Sequence, residues 1–346
     1  MTDSELSDLI ISTSPLPADT EDDPCEASDA GITVEWRETS VPAESHGDRL
    51  DRALAQIVPE FSRSYLQQLI TAGAVQLNDQ LLTKSSSRVK AGDQVKIELK
   101  PTPQSQAFKP EAMLLDVVFE DAFLMVINKP AGLVVHPAPG NWCGTLLNGL
   151  LARDAQAASL PRAGIVHRLD KDTSGLMVVA RHRQTMDQLV HLIAARSVSR
   201  QYVALAHGKW QGSKLRHVDF PVGRDPRNRL RMAAVDLDKT PGKTAATDIA
   251  LLDNADRHCL VQCRLQTGRT HQIRVHMAAI GHPLVSDLLY GGSMEGELTR
   301  QALHACRLAF VHPVTAQPLV FNSALPADLR TAIASLSLRY NQANEG

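Results

Sequence analysis

The residues best suited to chemistry gather in two short stretches of the chain. The first runs Gly164-Ile-Val-His167-Arg168-Leu169-Asp170-Lys171-Asp172-Thr173-Ser174-Gly175-Leu176-Met-Val-Val-Ala180-Arg181. Two carboxylates, a Thr, a Ser and a Gly make a polar turn between apolar segments, which predicts strands at Ile165–Leu169 and Leu176–Ala180 holding that turn rigidly. Arg168 and Lys171 are close to Asp170 in sequence, and a positive surround would keep its carboxylate ionised as a nucleophile or base. Two plainer readings stand beside this one. The carboxylates also suit simple capping of the turn. Asp170-x-Asp172-x-Ser174-Gly175 opens like a calcium loop, but Arg181 stands where the bidentate Glu is required, and residues 176–179 are apolar.

The second stretch is Leu265-Gln-Thr267-Gly268-Arg269-Thr270-His271-Gln272-Ile273-Arg274-Val275-His276-Met277. Gly268 ends a strand, Thr270 can cap a helix predicted over His271–Ile280, and Arg269 at the positive end of that helix suits a phosphate. Arg274 follows one turn further in. His271 and His276 do not share a helical face and have no acidic third ligand nearby in sequence, so hydrogen-bonding roles are favoured over zinc. Cys259 and Cys263 also lack a second Cys/His pair at zinc-finger spacing. The sequence also holds no Walker loop, no Gly-x-Gly-x-x-Gly after a strand and no convincing metal cluster.

These stretches need elements to position them. Leu50, Ala53, Leu54 and Ile57 mark one helix ending near Pro59, and Ser62 caps a second whose stripe is Leu66, Leu69 and Ile70 until Gly73 stops it. Alternating strands at 74–78 and 94–99 complete a small unit, and Pro101, Pro103 and Pro110 mark a linker. Beyond it, further strands are predicted at Leu124–Asn128, Tyr202–Ala206, Cys259–Leu265 and 319–322, and helices at Leu146–Leu151, Thr185–Ala195 and Leu325–Leu336. Strands and helices without a regular βαβ rhythm point to an α+β domain.

The 346 residues carry a formal charge of −2, which on its face argues against a polyanion partner. The distribution says otherwise. Residues 1–47 hold twelve acidic side chains and one basic, a net −11, while the remainder is +9. The Ser/Pro/Asp/Glu-rich start predicts a disordered acidic tail, either a passive extension or a mask over a basic body. No apolar run reaches the roughly 18 residues of a membrane span and the start has no basic n-region, so a cytoplasmic protein is expected.

The Asp170 stretch resembles the signature of the RluA-type pseudouridine synthases, His-Arg-Leu-Asp followed by Lys/Arg-Asp-Thr-Ser-Gly and an apolar strand. Supporting blocks follow in the family's order over about residues 113–330: Ile127-Asn128-Lys129-Pro130-Ala131-Gly132-Leu133-Val134-Val135-His136-Pro137, Thr267 to His276, Gly281-His282-Pro283-Leu284, Asp287-Leu-Leu-Tyr290-Gly291-Gly292 and Gln301-Ala302-Leu303-His304-Ala305. Residues 48–108 resemble an S4 RNA-binding domain, through Arg49-Leu-Asp-Arg52, Ser62-Arg63-Ser64 and Gly73-x-Val75-x-Leu77-Asn78.

After the acidic tail at 1–47 read from charge and composition, the resemblance implies an S4 domain at 48–108 and a catalytic domain at 109–340, whose fold is a central mixed, mainly antiparallel bifurcated sheet flanked by helices. It implies isomerisation of uridine to pseudouridine by base flipping, without cofactor or metal, on large-subunit (23S) rRNA, with the helix 69 stem-loop the expected target. Another rRNA stem, a tRNA, or a non-catalytic S4-type RNA-binding role are the alternatives. Asp170 matches the essential carboxylate, Arg274 its partner, Tyr202 the aromatic that stacks on uracil and assists removal of the C5 proton, and Ile273 the apolar floor. Arg168 resembles the side chain that fills the gap left by the flipped base, while Arg269, Arg63 and Arg49 are RNA contacts. Tyr202 also fits an ordinary strand aromatic, and Arg168 a phosphate contact. Arg224, Arg227, Arg229, Arg231, Lys239 and Lys243 form a basic insertion suited to an RNA stem or to a solvated hairpin. A single-chain site favours a monomer.

Overall fold

The computed structural model describes residues 35–59, 61–99, 107–228 and 231–341. It divides into two compact units, the first ending at Ala107 and the second beginning at Phe108. No helix among the described residues is long and apolar enough to cross a membrane.

In the first unit the expected helices are α1 (Leu50–Ile57) and α2 (Arg63–Thr71), the second capped by the Ser62 hydroxyl, which accepts from the Tyr65 amide. They pack Leu50, Leu54, Leu66 and Ile70 against Val75, Val95 and Ile97 of a four-stranded antiparallel sheet. The strands are β1 (Glu35–Ser40), β2 (Val75–Leu77), β3 (Gln80–Leu81) and β4 (Gln94–Leu99), in the order β1-β4-β2-β3. This moves one boundary. Charge counting puts residues 35–47 in the acidic tail, yet β1 pairs with β4 along its whole length, Glu38 bridges to Lys96, and the Lys96 ammonium lies over the Trp36 ring. An edge strand is held through its backbone and can present charged side chains to water, so net charge does not reveal it. Residues 1–34, the remainder of the proposed tail, lie outside the described residues.

The second unit is built on a nine-stranded sheet. Its strands are β5 (Val117–Glu120), β6 (Leu124–Lys129), β7 (Ser174–Ala180), β8 (Ser199–His207), β9 (Leu215–Val218), β13 (Thr247–Asn254), β14 (His258–Leu265), β15 (Leu303–Val311) and β16 (Pro318–Asn322). The order is β5-β6-β7-β15-β8-β14-β13-β9; β7 and β15 are parallel, and the other pairs are antiparallel. One edge of β15 is taken first by β7 at His304 and Ala305, then by β16 from Arg307 onward, which is the expected bifurcation. A separate three-stranded sheet, β10 (Val222–Arg224), β11 (Met232–Ala234) and β12 (Gly242–Lys243), forms the basic insertion.

Alternation explains why the central strands read as unbroken apolar runs. Met125, Ile127, Met177 and Val179 face one core with α3 (Leu146–Arg153) and α5 (Gln272–Ala279), whereas Leu124, Val126, Leu176 and Val178 face another that includes Leu189 of α4 (Arg183–Ala194). Val203, Leu205 and Leu260 pack on α6 (Ala327–Ser335). A sheet covered on both faces has no polar side to show.

One expected strand does not form. Ile165–Leu169 makes only an isolated bridge, Ile165 to Val179, because the His167 ring intervenes: its Nε2 accepts the Val178 amide proton at 3.1 Å, taking the donor that strand pairing would use. The segment therefore leaves the sheet and carries Asp170 to the start of β7.

At that start Gly175 has φ +117°, and a Cβ there would overlap the backbone of Ala305. Only glycine lets β7 and β15 approach so closely. Gly175→Ala is expected to destabilise the chain by about 3 kcal/mol, from overpacking and backbone strain. Urea denaturation measures this, and an unchanged midpoint would show that the two strands separate without cost.

Candidate active site

Asp170 lies on the floor of a cavity of about 340 Å³ in the second unit, lined among others by Arg168, Tyr202, Arg269, Ile273 and Arg274. All six candidate residues of this domain thus meet in one place. Arg49 and Arg63 do not, because they belong to the first unit, where both pair with the buried Asp51 at 3.0 and 2.9 Å. There they brace α1 against α2 and keep part of each guanidinium exposed.

The loop after Asp170 is tied residue by residue. The Thr173 amide donates to the Asp170 carbonyl. The Lys171 carbonyl accepts from the Gly132 amide and from Lys129 Nζ, the latter at 2.8 Å. Arg300 donates to the Asp172 carbonyl, Gln301 to the Thr173 hydroxyl, and Ser174 Oγ is 2.9 Å from His304 Nδ1. Lys129 is itself buried and also donates to the carbonyls of Pro130 and Leu133 at 2.8 and 2.9 Å. Burial pulls its amine down to about 7, against the charges of Asp170 and Asp172. Three short bonds to carbonyl oxygens match the three donors of an ammonium, so the geometry is that of the charged form. The polar residues of the motif beyond Asp170 are thus position-holders.

Arg274 is the principal partner of Asp170. Its Nη1 donates to Asp170 Oδ2 at 3.2 Å, while Nε and Nη2 grip the two oxygens of Asp287, each at 2.8 Å. Its guanidinium also lies over the Tyr290 ring, 4.9 Å from the centroid. His271 bridges the same groups, with Nδ1 at 2.8 Å from the Tyr290 hydroxyl and Nε2 at 3.9 Å from Asp170. Burial alone would raise the Asp170 carboxyl, but His271, Arg274 and Arg168 outweigh it and hold the group below the ordinary carboxylate range. Lys171, the expected neighbour in sequence, serves Asp170 through its carbonyl.

Tyr202 is buried, and burial pushes its phenol up to about 12. A neutral ring suits stacking. Removal of the C5 proton asks more, because a phenol must lose its own proton before it can accept another.

Arg168, Arg196, Arg200 and Arg269 line the cavity, and among the described residues none of them has a carboxylate ion pair. Arg168 Nε and Arg200 Nε are buried without a hydrogen-bond partner, and Arg269 Nε donates to the Thr244 carbonyl. Such a rim suits phosphate oxygens. In the basic insertion, by contrast, Arg231 is committed to Asp225 and Lys239 to Asp236, while Arg229 lies outside the described residues. His271, with φ +55°, takes the cap position expected of Thr270, and the Gln272 side chain accepts from the Arg269 amide and the Thr267 hydroxyl. His276 is held by Thr247 and the Phe220 carbonyl, a hydrogen-bonding role as expected.

Several functional residues escape sequence reasoning. Lys129, Asp287 and Tyr290 fall inside the quoted motif blocks, but nothing local distinguishes their roles. Arg196 and Arg200 have no signal beyond their charge.

An ionised, partly dry carboxylate beside a buried aromatic and a rim of arginines suits the rearrangement of a nucleotide. The comparisons agree: the RNA pseudouridylate synthase profile matches residues 123–279, and the S4 domain profile matches 48–95. The chain belongs to the RNA pseudouridylate synthase family and is an isomerase that converts uridine to pseudouridine. Among its relatives, "Ribosomal large subunit pseudouridine synthase D" of Neisseria meningitidis serogroup A / serotype 4A is 44% identical over 312 residues, 86% of this chain and 81% of the relative. The protein of the same name from Xylella fastidiosa is 45% identical over 313 residues, covering 87% and 92%. The solved structure of "Human RNA Pseudouridylate Synthase Domain Containing 1" superposes with a TM-score of 0.50 at 26% identity, covering 63% of this chain and 86% of that one.

Two outcomes are expected from Arg274. Arg274→Lys keeps the charge but cannot span Asp170 and Asp287, so kcat should fall about 100-fold with KM little changed, as read by steady-state kinetics. In wild type the Asp170 carboxyl lies below its ordinary value, so activity that needs it ionised is present above that value and is lost only as pH falls through the depressed one. In Arg274→Met one lowering charge is gone, and the acid limb of the residual kcat/KM should move up in pH.

Proposed function

We propose that this enzyme isomerises uridines of large-subunit ribosomal RNA, with Asp170 as the essential carboxylate. The observation that carries the reading is the depressed Asp170 carboxyl, held by Arg274 in a cavity lined by Tyr202, Ile273 and Arg168. The names of the relatives support the ribosomal substrate, and the S4 domain supports an RNA partner. The helix 69 stem-loop is the target this reading puts first.

The reaction breaks the uracil N1–C1′ and C5–H bonds and forms C5–C1′ and N1–H, with no net gain or loss of atoms. Asp170 attacks C1′ or C6, or removes a sugar proton, and in each case it must enter as the carboxylate. Extruding the nucleotide costs a few kcal/mol, and Arg168, whose buried Nε has no hydrogen-bond partner among the described residues, supplies a planar cation to the vacated stack. Tyr202 stacks on the detached uracil above Ile273, and the arginine rim takes the flanking phosphates. Arg49 and Arg63 contact RNA from the first unit through their exposed parts. The protein works as a monomer in the cytoplasm.

The test is mapping of pseudouridine in total RNA from cells that lack the protein, then carry it again as wild type or as Asp170→Asn. Pseudouridines should vanish from large-subunit rRNA, return with wild type and stay absent with Asp170→Asn, while the purified variant retains its RNA affinity. Restoration by Asp170→Asn would remove Asp170 from its role; loss confined to tRNA would overturn the ribosomal assignment.

A further inference from the structure

A second cluster of chemistry-bearing side chains stands outside the cavity, where β8 ends and β14 begins. His207 and His258 are direct register partners on those strands, with ring centroids 5.2 Å apart. Glu295, from the turn closed by the Glu295–Leu298 bridge, reaches over both: its Oε1 is 3.4 Å from His258 Nε2 and 3.9 Å from His207 Nδ1. One ligand atom from each of the three residues falls within 4.8 Å of the others, and none of these residues lines the Asp170 cavity.

A second observation points the same way. His258 is 7% exposed, and its buried Nε2 meets the Glu295 carboxylate at 3.4 Å without a well-aligned hydrogen bond among the described residues. A buried polar nitrogen so loosely satisfied costs stability unless something fills the gap. The far side of the other imidazole is occupied: His207 Nε2 lies 3.1 Å from both the Ser293 carbonyl and the Ser293 amide nitrogen. With the proton on Nδ1 it accepts from the amide and turns Nδ1–H toward Glu295; with the proton on Nε2 it donates to the carbonyl and frees the Nδ1 lone pair, the tautomer that a cation at Nδ1 selects.

We propose that His207, His258 and Glu295 form a binding site for a divalent transition-metal cation of the zinc type. Two imidazole nitrogens and a carboxylate oxygen are a recognised donor set for such ions, at bond lengths of about 2.0–2.2 Å. Those lengths put neighbouring ligand atoms about 3.5 Å apart. The spacing from His258 to Glu295 already meets this, and small rotations of His207 and Glu295, which are 19% and 29% exposed, close the rest. Because His207 and Glu295 are partly open to solvent, water completes the coordination. The bound cation fastens the turn at 293–295 to two strands of the sheet. Ser286, whose amide donates to the Ser293 carbonyl, adjoins Asp287, so the fastened turn borders the residue that grips Arg274.

The experiment is calorimetric titration of Zn²⁺ into the untagged full-length chain after chelator treatment, with Co²⁺ absorption to read the ligand type. One saturable equivalent is expected, with a cobalt spectrum free of thiolate charge-transfer bands and a zinc-dependent rise in Tm. Glu295→Gln and His258→Gln should each weaken binding about tenfold or more and abolish the rise in Tm, while pseudouridine formation is kept. Glu295→Gln, conservative and partly exposed, keeps the test sound should the histidine variant fail to fold. Equal zinc binding by wild type and Glu295→Gln, thiolate bands, or no saturable binding in wild type would overturn the proposal.

Discussion

The second unit turns on one buried guanidinium placed between two carboxylates. Asp170 and Asp287 come from distant parts of the chain, and without Arg274 both would face each other's negative charge in a cavity that water only partly fills. The sharing is unequal. Asp287 takes two bonds of 2.8 Å and fixes the plane of the guanidinium, which leaves Asp170 a single bond of 3.2 Å. Asp170, proposed above as the essential carboxylate, is therefore charged and oriented, while its Oδ1 meets His271 Nε2 only across 3.9 Å. A pairing that satisfied Asp170 fully would stabilise the ground state at the expense of its nucleophilicity.

That arrangement demands rigidity, and burial supplies it by removing proton chemistry from the surrounding rings. His136 and His167 are pulled down to about 3 and His304 to about 4, each chiefly by desolvation. At neutral pH these imidazoles are uncharged spacers. His167 accepts a backbone proton from β7, and His304 meets Ser174 at the other end of the catalytic loop. The same loop hangs from Lys129 and Arg300 through its backbone carbonyls, so its shape depends on two buried cations. An isomerisation with no net proton uptake suits such a site. What it asks of the protein is a fixed carboxylate and a place for the base to turn.

How much of this was legible follows from the distance over which each feature is decided. Amphipathic spacing located α1 and α2, and alternation located β6, β7 and β14, because those patterns are local. The Asp170 loop was legible as chemistry because its polar run interrupts two apolar ones. The strand expected at Ile165–Leu169 failed on a single side chain, His167, which takes a backbone hydrogen bond that periodicity cannot foresee. Lys129 reads as the solvated end of a strand beside Pro130, and only the folded chain brings three carbonyls to its ammonium. The same limit hides His207, His258 and Glu295, whose proximity comes from strand register and a turn far along the chain. In the first unit, β1 was missed because charge was counted where backbone pairing decides.

Charge deserves to be judged locally for the same reason. A total of −2 averages a −11 segment with a basic body, but electrostatic attraction is screened over about 10 Å at ordinary salt. An RNA phosphate at the mouth of the cavity responds first to the charges within about that distance, Arg168, Arg196, Arg200 and Arg269 among them. Those arginines also differ from Arg231 and Lys239 in a way that a count of basic residues cannot show. The latter two are bound to Asp225 and Asp236, so an approaching phosphate must compete with a carboxylate already in place. At the cavity no such competitor stands among the described residues, and the desolvation of Arg269 has already been met by the fold, its neighbour Arg196 adding a like charge. Among the described residues, the cations least committed to carboxylates are accordingly those beside Asp170, where an approaching polyanion has the least to displace.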